Sequence, residues 1–337
     1  MTGIKALRKI QLGQETTAGT AVAATGMWRG SGNMEDNRET VFVEEDVGYL
    51  SGLDRTHIPK VEGYVTFEES PVTFEQLGYI LSASASGIVQ GTQDGTGSGY
   101  TYTYNFPTTA IPTLQTYTIE FGDNLQVEEM AYAHVPSFSM TGAGGTAVRC
   151  SADWVGRQVA NSSFSSVTAP TVDSVLFGKG KMYMNAASQS FGASQLTNHL
   201  LGFDLSVNTG IVPIYAADGN LYFSFTKVTP SEITCDFTMQ FDADAVAHKA
   251  IWRSDNELGS STRNIRLDFT GPALTTSGTS YANKLLRIDL TGKWESISGL
   301  EDADGTDTVT GSFRARYNTS ASNYCKILIV NELSSLT

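Results

Sequence analysis

An all-β chain with minor helix is what this sequence predicts, organised as two tandem antiparallel β-sandwich domains, each with a short flanking helix. Three observations carry that prediction. Apolar and polar residues alternate with a period of two along many short runs, as in strands with one buried face. Gly, Ser, Thr and Asn cluster between those runs as turns. The order strand, helix, strand, strand, strand then occurs twice along the chain.

The elements follow in chain order. The stretch 13–25 is too small and polar for a core strand, and is expected to order against a neighbour. A strand at 64–67 leads to Ser70, placed to cap a helix starting at Pro71, with Phe74, Leu77 and Leu81 on one face. The long segment 83–113 follows, rich in Gly, Ser, Thr and Tyr; within it Tyr100, Tyr102 and Tyr104 alternate as in an outward hairpin or arm. Alternating strands at 115–121, 137–140 and 148–155 complete a first domain, 1–165. A Ser-, Thr- and Pro-containing linker at 161–174 marks the boundary.

The second domain, 170–337, repeats the layout. Strands at 203–207, 221–225 and 235–241 precede Asp242, which is placed to cap a helix over 243–252. Strands at 264–269, 285–290 and 309–317 then alternate cleanly. Identity between the halves is low, so the repeat is one of architecture.

Composition excludes several function classes. Among the 337 residues hydrophobic side chains make up 40% and charged ones 17%, a soluble globular balance. No apolar run is long enough to span a bilayer, and residues 1–11 lack the apolar core of a signal peptide, so no membrane anchor and no secretion are expected. The net charge of -13 comes without any run of Lys or Arg, which argues against gripping nucleic acid. Cys150, Cys235 and Cys325 are odd in number and widely spaced, as buried reduced thiols would be.

Catalytic and metal motifs are missing from the sequence. His57, His134, His199 and His248 are scattered, and Gly178 to Lys181 has neither the spacing nor the following helix of a phosphate loop. The acidic stretch Glu301 to Asp307 departs from the calcium-loop pattern, with Asp307 where the turn glycine belongs, and reads as a hairpin turn. Adjacent acids such as Glu44-Glu45 and Glu68-Glu69 point to opposite faces of a strand and form no couple. Neither an enzymatic activity nor a cofactor is expected.

Three segments carry a family resemblance. They are Leu12 to Thr25 (LGQETTAGTAVAAT), Leu200 to Gly210 (LLGFDLSVNTG) followed by Pro213, and Lys326 to Leu333 (KILIVNEL). Together they resemble the major tail tube protein of long-tailed, siphovirus-like bacteriophages. The resemblance implies a structural virion protein, assembled in the bacterial cytoplasm, whose rings stack into the conduit for DNA ejection. In that family hairpins from each subunit form a continuous inner barrel, and the usual ring holds six domains. A duplicated chain then closes a pseudo-sixfold ring as a trimer; a single elaborated domain closes it as a hexamer. The implied partners are other copies of the chain, the tape-measure protein, a tail terminator and distal tail proteins, with DNA passing unbound.

On that resemblance the bore-lining hairpins are expected at 40–49 with 60–68, and at 203–208 with 232–240. Their acidic faces carry Glu44, Asp46, Glu62, Glu68, Asp204, Glu232 and Asp236, which repel a passing polyanion. Contacts between subunits or rings are expected at Gly13, Glu15, Thr17, Gly19, Thr20, Tyr100, Tyr102 and Tyr104. A competing expectation is a surface-displayed β-sandwich binding or decoration module, with the three tyrosines as a sugar-stacking platform. A hydrolase on a β scaffold is the third, requiring carboxylates that converge only in the fold.

Overall fold

Alternation becomes pairing in the computed structural model, which describes residues 2–84, 87, 89–254 and 262–336. The first unit contains β1 (Lys9–Gln14), β2 (Gly26–Met27), β3 (Gly32–Arg38), β4 (Val41–Phe42), β5 (Thr56–His57), β6 (Val61–Pro71) and helix α1 (Leu77–Ala83). It continues with β7 (Thr92–Gln93), β8 (Tyr100–Asn105), β9 (Tyr117–Gly122), β10 (Val127–Ala143), β11 (Arg149–Gly156) and β12 (Val159–Ser162). The second unit runs β13 (Gly180–Ala186), β14 (Gln195–Leu196), β15 (Leu200–Asn208), β16 (Ile211–Ile214), β17 (Phe225–Val228), β18 (Glu232–Gln240) and helix α2 (Ala243–Arg253). Strands β19 (Arg263–Ala273), β20 (Asn283–Ile297), β21 (Glu301–Ala303), β22 (Thr306–Ala315) and β23 (Cys325–Asn331) complete it. The chain is all-β with minor α, as the alternation predicts.

The pairings of the two units correspond strand for strand. In the first, one layer has the order β2-β1-β9-β10-β12 and the other β3-β6-β11-β10. In the second, the layers are β14-β13-β19-β20-β23 and β15-β18-β22-β20. Strands β10 and β20 each belong to both layers of their unit and carry bulges, between Met130 and Ser137 in β10 and at Trp294/Ser296 in β20, where the strand crosses. Helix α1 packs on β10 and α2 on the equivalent β20.

The units are joined by continuous backbone pairing. The C-terminal half of β10 lies antiparallel to β15 from Ser137↔Asn208 to Ala143↔Gly202, so β3-β6-β11-β10 and β15-β18-β22-β20 form one sheet. In the other layer β8 of the first unit lies along β23 of the second. Consequently the aromatic centres of both units fall within one apolar cluster. In the first, Phe67 lies between Trp28 at 4.7 Å and Trp154 at 5.2 Å; in the second, Trp294 meets Phe237 at 5.9 Å and Phe313 at 5.4 Å. Burial of each such ring is worth roughly 1.5–3 kcal/mol.

The helices differ in how well sequence places them. Asp242 caps α2, accepting the Ala245 amide at 2.9 Å. The first helix begins six residues late, because Pro71 stays paired with Arg149 at the end of β6 and Ser70 donates to the Glu68 carbonyl instead of capping. Sheet pairing there outweighs local helix signals, and α1 is held by burial of its whole length.

Lys284 braces the two units. Buried on β20, it donates to Glu75 of the first unit at 2.5 Å and to Asp173 of the linker at 2.7 Å. Burial pulls its pKa down, but the hydrogen bonds to Asp173 and Glu75 outweigh that and hold it above the ordinary lysine value. Replacing Lys284 with Met leaves the Glu75 carboxylate buried without its cation. We expect a loss of about 3 kcal/mol or more in urea unfolding at pH 7, and a Glu75→Gln/Lys284→Met pair that recovers much of it.

Candidate functional site: a polar sheet face with two open edges

The joined sheet turns one face to the shared core and the other outward, and period-two alternation decides which side chains go where. On β6, Val65 and Phe67 are buried while Thr66 and Glu68 are exposed; on β15, Phe203, Leu205 and Val207 are buried while Asp204, Ser206 and Asn208 are exposed. Rows therefore run straight across the outward face. One reads Asn33, Thr66, Asp153, Ser137, Asn208, Glu232; the next Ser151, Ser139, Ser206, Thr234, Arg314, Lys293; a third Arg149, Thr141, Asp204, Asp236, Ser312, Ser296. Small hydroxyl side chains fill nine of these eighteen positions.

Carboxylates set its charge. Arg314 is engaged by Glu232 and by Glu295, the latter at 2.9 Å, and Arg149 by Glu69 at 3.4 Å. Asp204 and Asp236 stand directly opposite each other with no cation between them. Burial, together with the negative charge of Asp236 and Glu69, raises the Asp204 pKa. The face as a whole is polar and carries more carboxylates than cations.

Of the residues expected to line a bore, Glu68, Asp204, Glu232 and Asp236 share this face. Glu62 sits at its end but is buried, with Lys60 at 2.7 Å, Tyr215 donating at 2.7 Å, and Tyr64 also bonded to it. Burial alone raises a carboxyl pKa, yet these partners outweigh it and hold Glu62 below the ordinary range. Glu44 and Asp46 lie off the sheet, in the segment between β4 and β5. The second expected hairpin is β15–β18 as read. The first keeps β6, but its partner is β3 rather than 40–49, because β3 (GNMEDNR) buries Met34 alone and so lacks visible alternation. Glu35, Asp153 and Glu295 add charge to this face: Glu35 sits beside Asp36 in a strand that buries Met34 alone, Asp153 on the alternating β11, and Glu295 in the bulge of β20.

The small-residue arm is used within the chain. Glu15 is buried and accepts the Gly19 amide at 2.7 Å, the Thr116 and Thr118 hydroxyls at 2.6 and 3.0 Å, and the Tyr132 amide at 2.8 Å. Tyr132 occupies left-handed backbone at φ 58°, so Glu15 pins the crossing point of β10. Gly13 is required, since a Cβ there would meet the Ala23 carbonyl at 2.5 Å. Gly19 turns at φ 80°, while Thr17 and Thr20 remain exposed. Two of the three tyrosines are committed internally: Tyr102 and Tyr104 are fully buried on β8 and so form neither a subunit contact nor a sugar platform, while Tyr100 is half-buried. Residues 85, 86 and 88 of the loop ahead of them lie outside the described residues.

Elsewhere, donor atoms of His199, Asp242 and Asp244 lie within 4.8 Å of one another. His199 donates through Nδ1 to Asp242 at 3.0 Å, and Asp242 is already the cap of α2, at the helix end whose dipole disfavours a cation. Residues 301–307 form the expected hairpin, with Asp304 and Gly305 at φ 52° and 81° between β21 and β22. All three cysteines are buried thiols. Among the described residues no helix is long and apolar enough to cross a membrane.

The two ends of the joined sheet are open. Among the described residues β3 pairs only through β6, and the β20–β21 end pairs only through β22 from Lys293 onward. These edges are the repeat counterparts of β15 and of the C-terminal half of β10, the two strands that meet inside the chain. Protein-family models and curated proteins contain no match to this sequence.

Asp204→Asn removes a like-charge pair whose member has a raised pKa. Such a group destabilises the fold while it is ionised, and the penalty is relieved as pH falls through its folded pKa. We expect Asp204→Asn to gain about 0.5 kcal/mol at pH 7, with the gain shrinking on acidification through the carboxylate range, read from thermal melts at several pH values.

Proposed function

We propose that this chain is the major tail tube subunit of a long-tailed bacteriophage. On this reading it assembles by pairing its two open edges into closed rings, which stack into a conduit for DNA. The observation that carries the reading is the internal junction: the chain contains one complete β10–β15 joint and, at its two ends, the unmatched halves of another. A head-to-tail contact between such halves closes a ring or runs on as a helix. Closure also removes the edges that would otherwise recruit strands without control.

The junction fixes the register expected between copies. Ser137, Ser139 and Thr141 of β10 correspond to Ser296, Ser298 and Glu301, and Asn208, Ser206 and Asp204 of β15 correspond to Asn37, Glu35 and Asn33. Asn37 of one copy therefore lies opposite Ser296 of the next. Three chains give six units and a barrel whose inner wall is the polar face. Fixed carboxylates on that wall act on DNA over about 10 Å at moderate salt, and its hydroxyl rows offer no base-reading or phosphate-clamping geometry. The role is passive conduction without a chemical step. On this reading the tape-measure protein fills the bore before DNA passes, terminator and distal tail proteins close its ends, and the protein resides in the virion after assembly in the host cytoplasm.

Two experiments test the reading. An Asn37→Cys/Ser296→Cys chain, oxidised after assembly, is expected to give a ladder ending at a circular trimer, alongside hollow rings or tubes in negative-stain electron microscopy; dispersed monomers at high concentration with no ladder overturn it. Phage carrying Glu68→Lys, Asp204→Lys and Asp236→Lys together are expected to assemble tubes of normal length but to eject DNA poorly. Equal infectivity would remove the case for an electrostatic wall.

A further inference from the structure

The loops that follow β3 and β15 are counterparts of nearly equal length, and only one of them is docked. In the second unit β16 pairs with β17 through Val212↔Lys227 and Pro213↔Thr226; in the first, β4 pairs with β5 through the equivalent Val41↔His57 and Phe42↔Thr56. The β16–β17 loop folds back onto the first unit. Phe223 is fully buried there, in a cluster with Tyr132 and Val155 and against Tyr64. Arg157 holds it in place, donating to the carbonyls of Phe223 at 3.2 Å and Ser224 at 2.7 Å while its guanidinium covers the Tyr132 ring at 4.5 Å. Among the described residues the β4–β5 loop has no such seat in its own chain. Leu53, the counterpart of Phe223, is 42% exposed, and Phe42 and Tyr49 are 73% and 71% exposed.

The receiving surface is duplicated too. Arg157 donates its amide to the Ala131 carbonyl at 3.0 Å just beyond β11; Arg316 donates its amide to the Thr291 carbonyl at 2.7 Å just beyond β22. Arg316 is the equivalent residue, exposed at the end of the chain that carries the open β20–β21 edge. Thr234 and Arg314 stand where Tyr64 and Val155 stand in the first unit. The β4–β5 loop carries Glu44, Glu45, Asp46 and Asp54, of which Glu45 is paired with Arg55, whereas the docked loop carries Asp218 alone among acids.

We propose that the loop between β4 and β5 is an intermolecular clasp, seating Leu53 against Thr234 and Arg314 of the next copy of this chain, with Arg316 of that copy holding the Leu53 and Asp54 carbonyls. The proposal rests on the edge-to-edge ring described above and adds a second lateral contact to it. It assigns Glu44 and Asp46 to the joint between chains. Charge complementarity across the clasp makes it salt-sensitive, in contrast to the apolar seat of Phe223.

The test uses the full chain. Arg316→Ala is expected to raise the concentration needed for assembly about tenfold while leaving the melting of the dilute monomer unchanged, and Arg157→Ala to lower the monomer's melting temperature. A Leu53→Cys/Thr234→Cys chain is expected to form disulfides between copies in the assembled state. If Asn37→Cys/Ser296→Cys links copies but Leu53→Cys/Thr234→Cys does not, and Arg316→Ala assembles as the parent does, the clasp is overturned and the ring stands. If neither pair links copies, the ring falls and the clasp with it.

Discussion

Unsatisfied strand edges govern this molecule. A sheet ends either by covering its outermost amides and carbonyls or by handing them to another strand. Inside the chain the second solution is taken where β10 receives β15, and again in the other layer where β23 receives β8, so that two sandwich units share one core. At Gly32–Arg38 and at the β20–β21 end, the same chemistry remains exposed. The strands there are polar and short of apolar residues, which limits casual pairing while leaving backbone geometry free for a partner of matching register.

The rest of the structure braces that sheet. Bulges in β10 and β20 let single strands serve two layers, so each unit closes without long connections. Glu15 fixes the first crossing by bonding to the Tyr132 amide. Lys284 ties β20 to Glu75 and the linker, and β8 crosses from the first unit to lie along β23. These braces act on the layer behind the polar face, keeping the relative angle of the two units from depending on the β10–β15 ladder alone.

Strand content and the doubled order were legible because β15, β18 and the middle of β19 alternate buried with more exposed positions, and because β9 and β20 alternate apolar with polar residues in sequence although the fold buries both faces of β9 and most of β20. The cap at Asp242 was legible because it is local: one side chain, one amide, three residues away. What escaped was non-local. Pro71 is held extended by β11, a decision made at Arg149 that no window around Pro71 contains. Tyr100, Tyr102 and Tyr104 look like an exposed platform until β23, more than two hundred residues downstream, draws β8 into its sheet and buries Tyr102 and Tyr104 in the shared core. Glu15 reads as one more polar residue in a small-residue arm, because its four donors come from the arm, β9 and β10. Four of the seven expected acids share the face, three of them through clean alternation in β15 and β18; Glu35 was hidden because β3 buries Met34 alone and so does not reveal its phase.

Covalent fusion of the two units has a consequence for counting. Every chain contributes units in pairs, so any closed ring built from these joints has an even number of them, and five- or seven-unit errors cannot form by gain or loss of a single unit. Half of the joints are also present before any two molecules meet. Each closure step therefore orders one free body where an unfused subunit would require two, which lowers the entropic cost of association per unit.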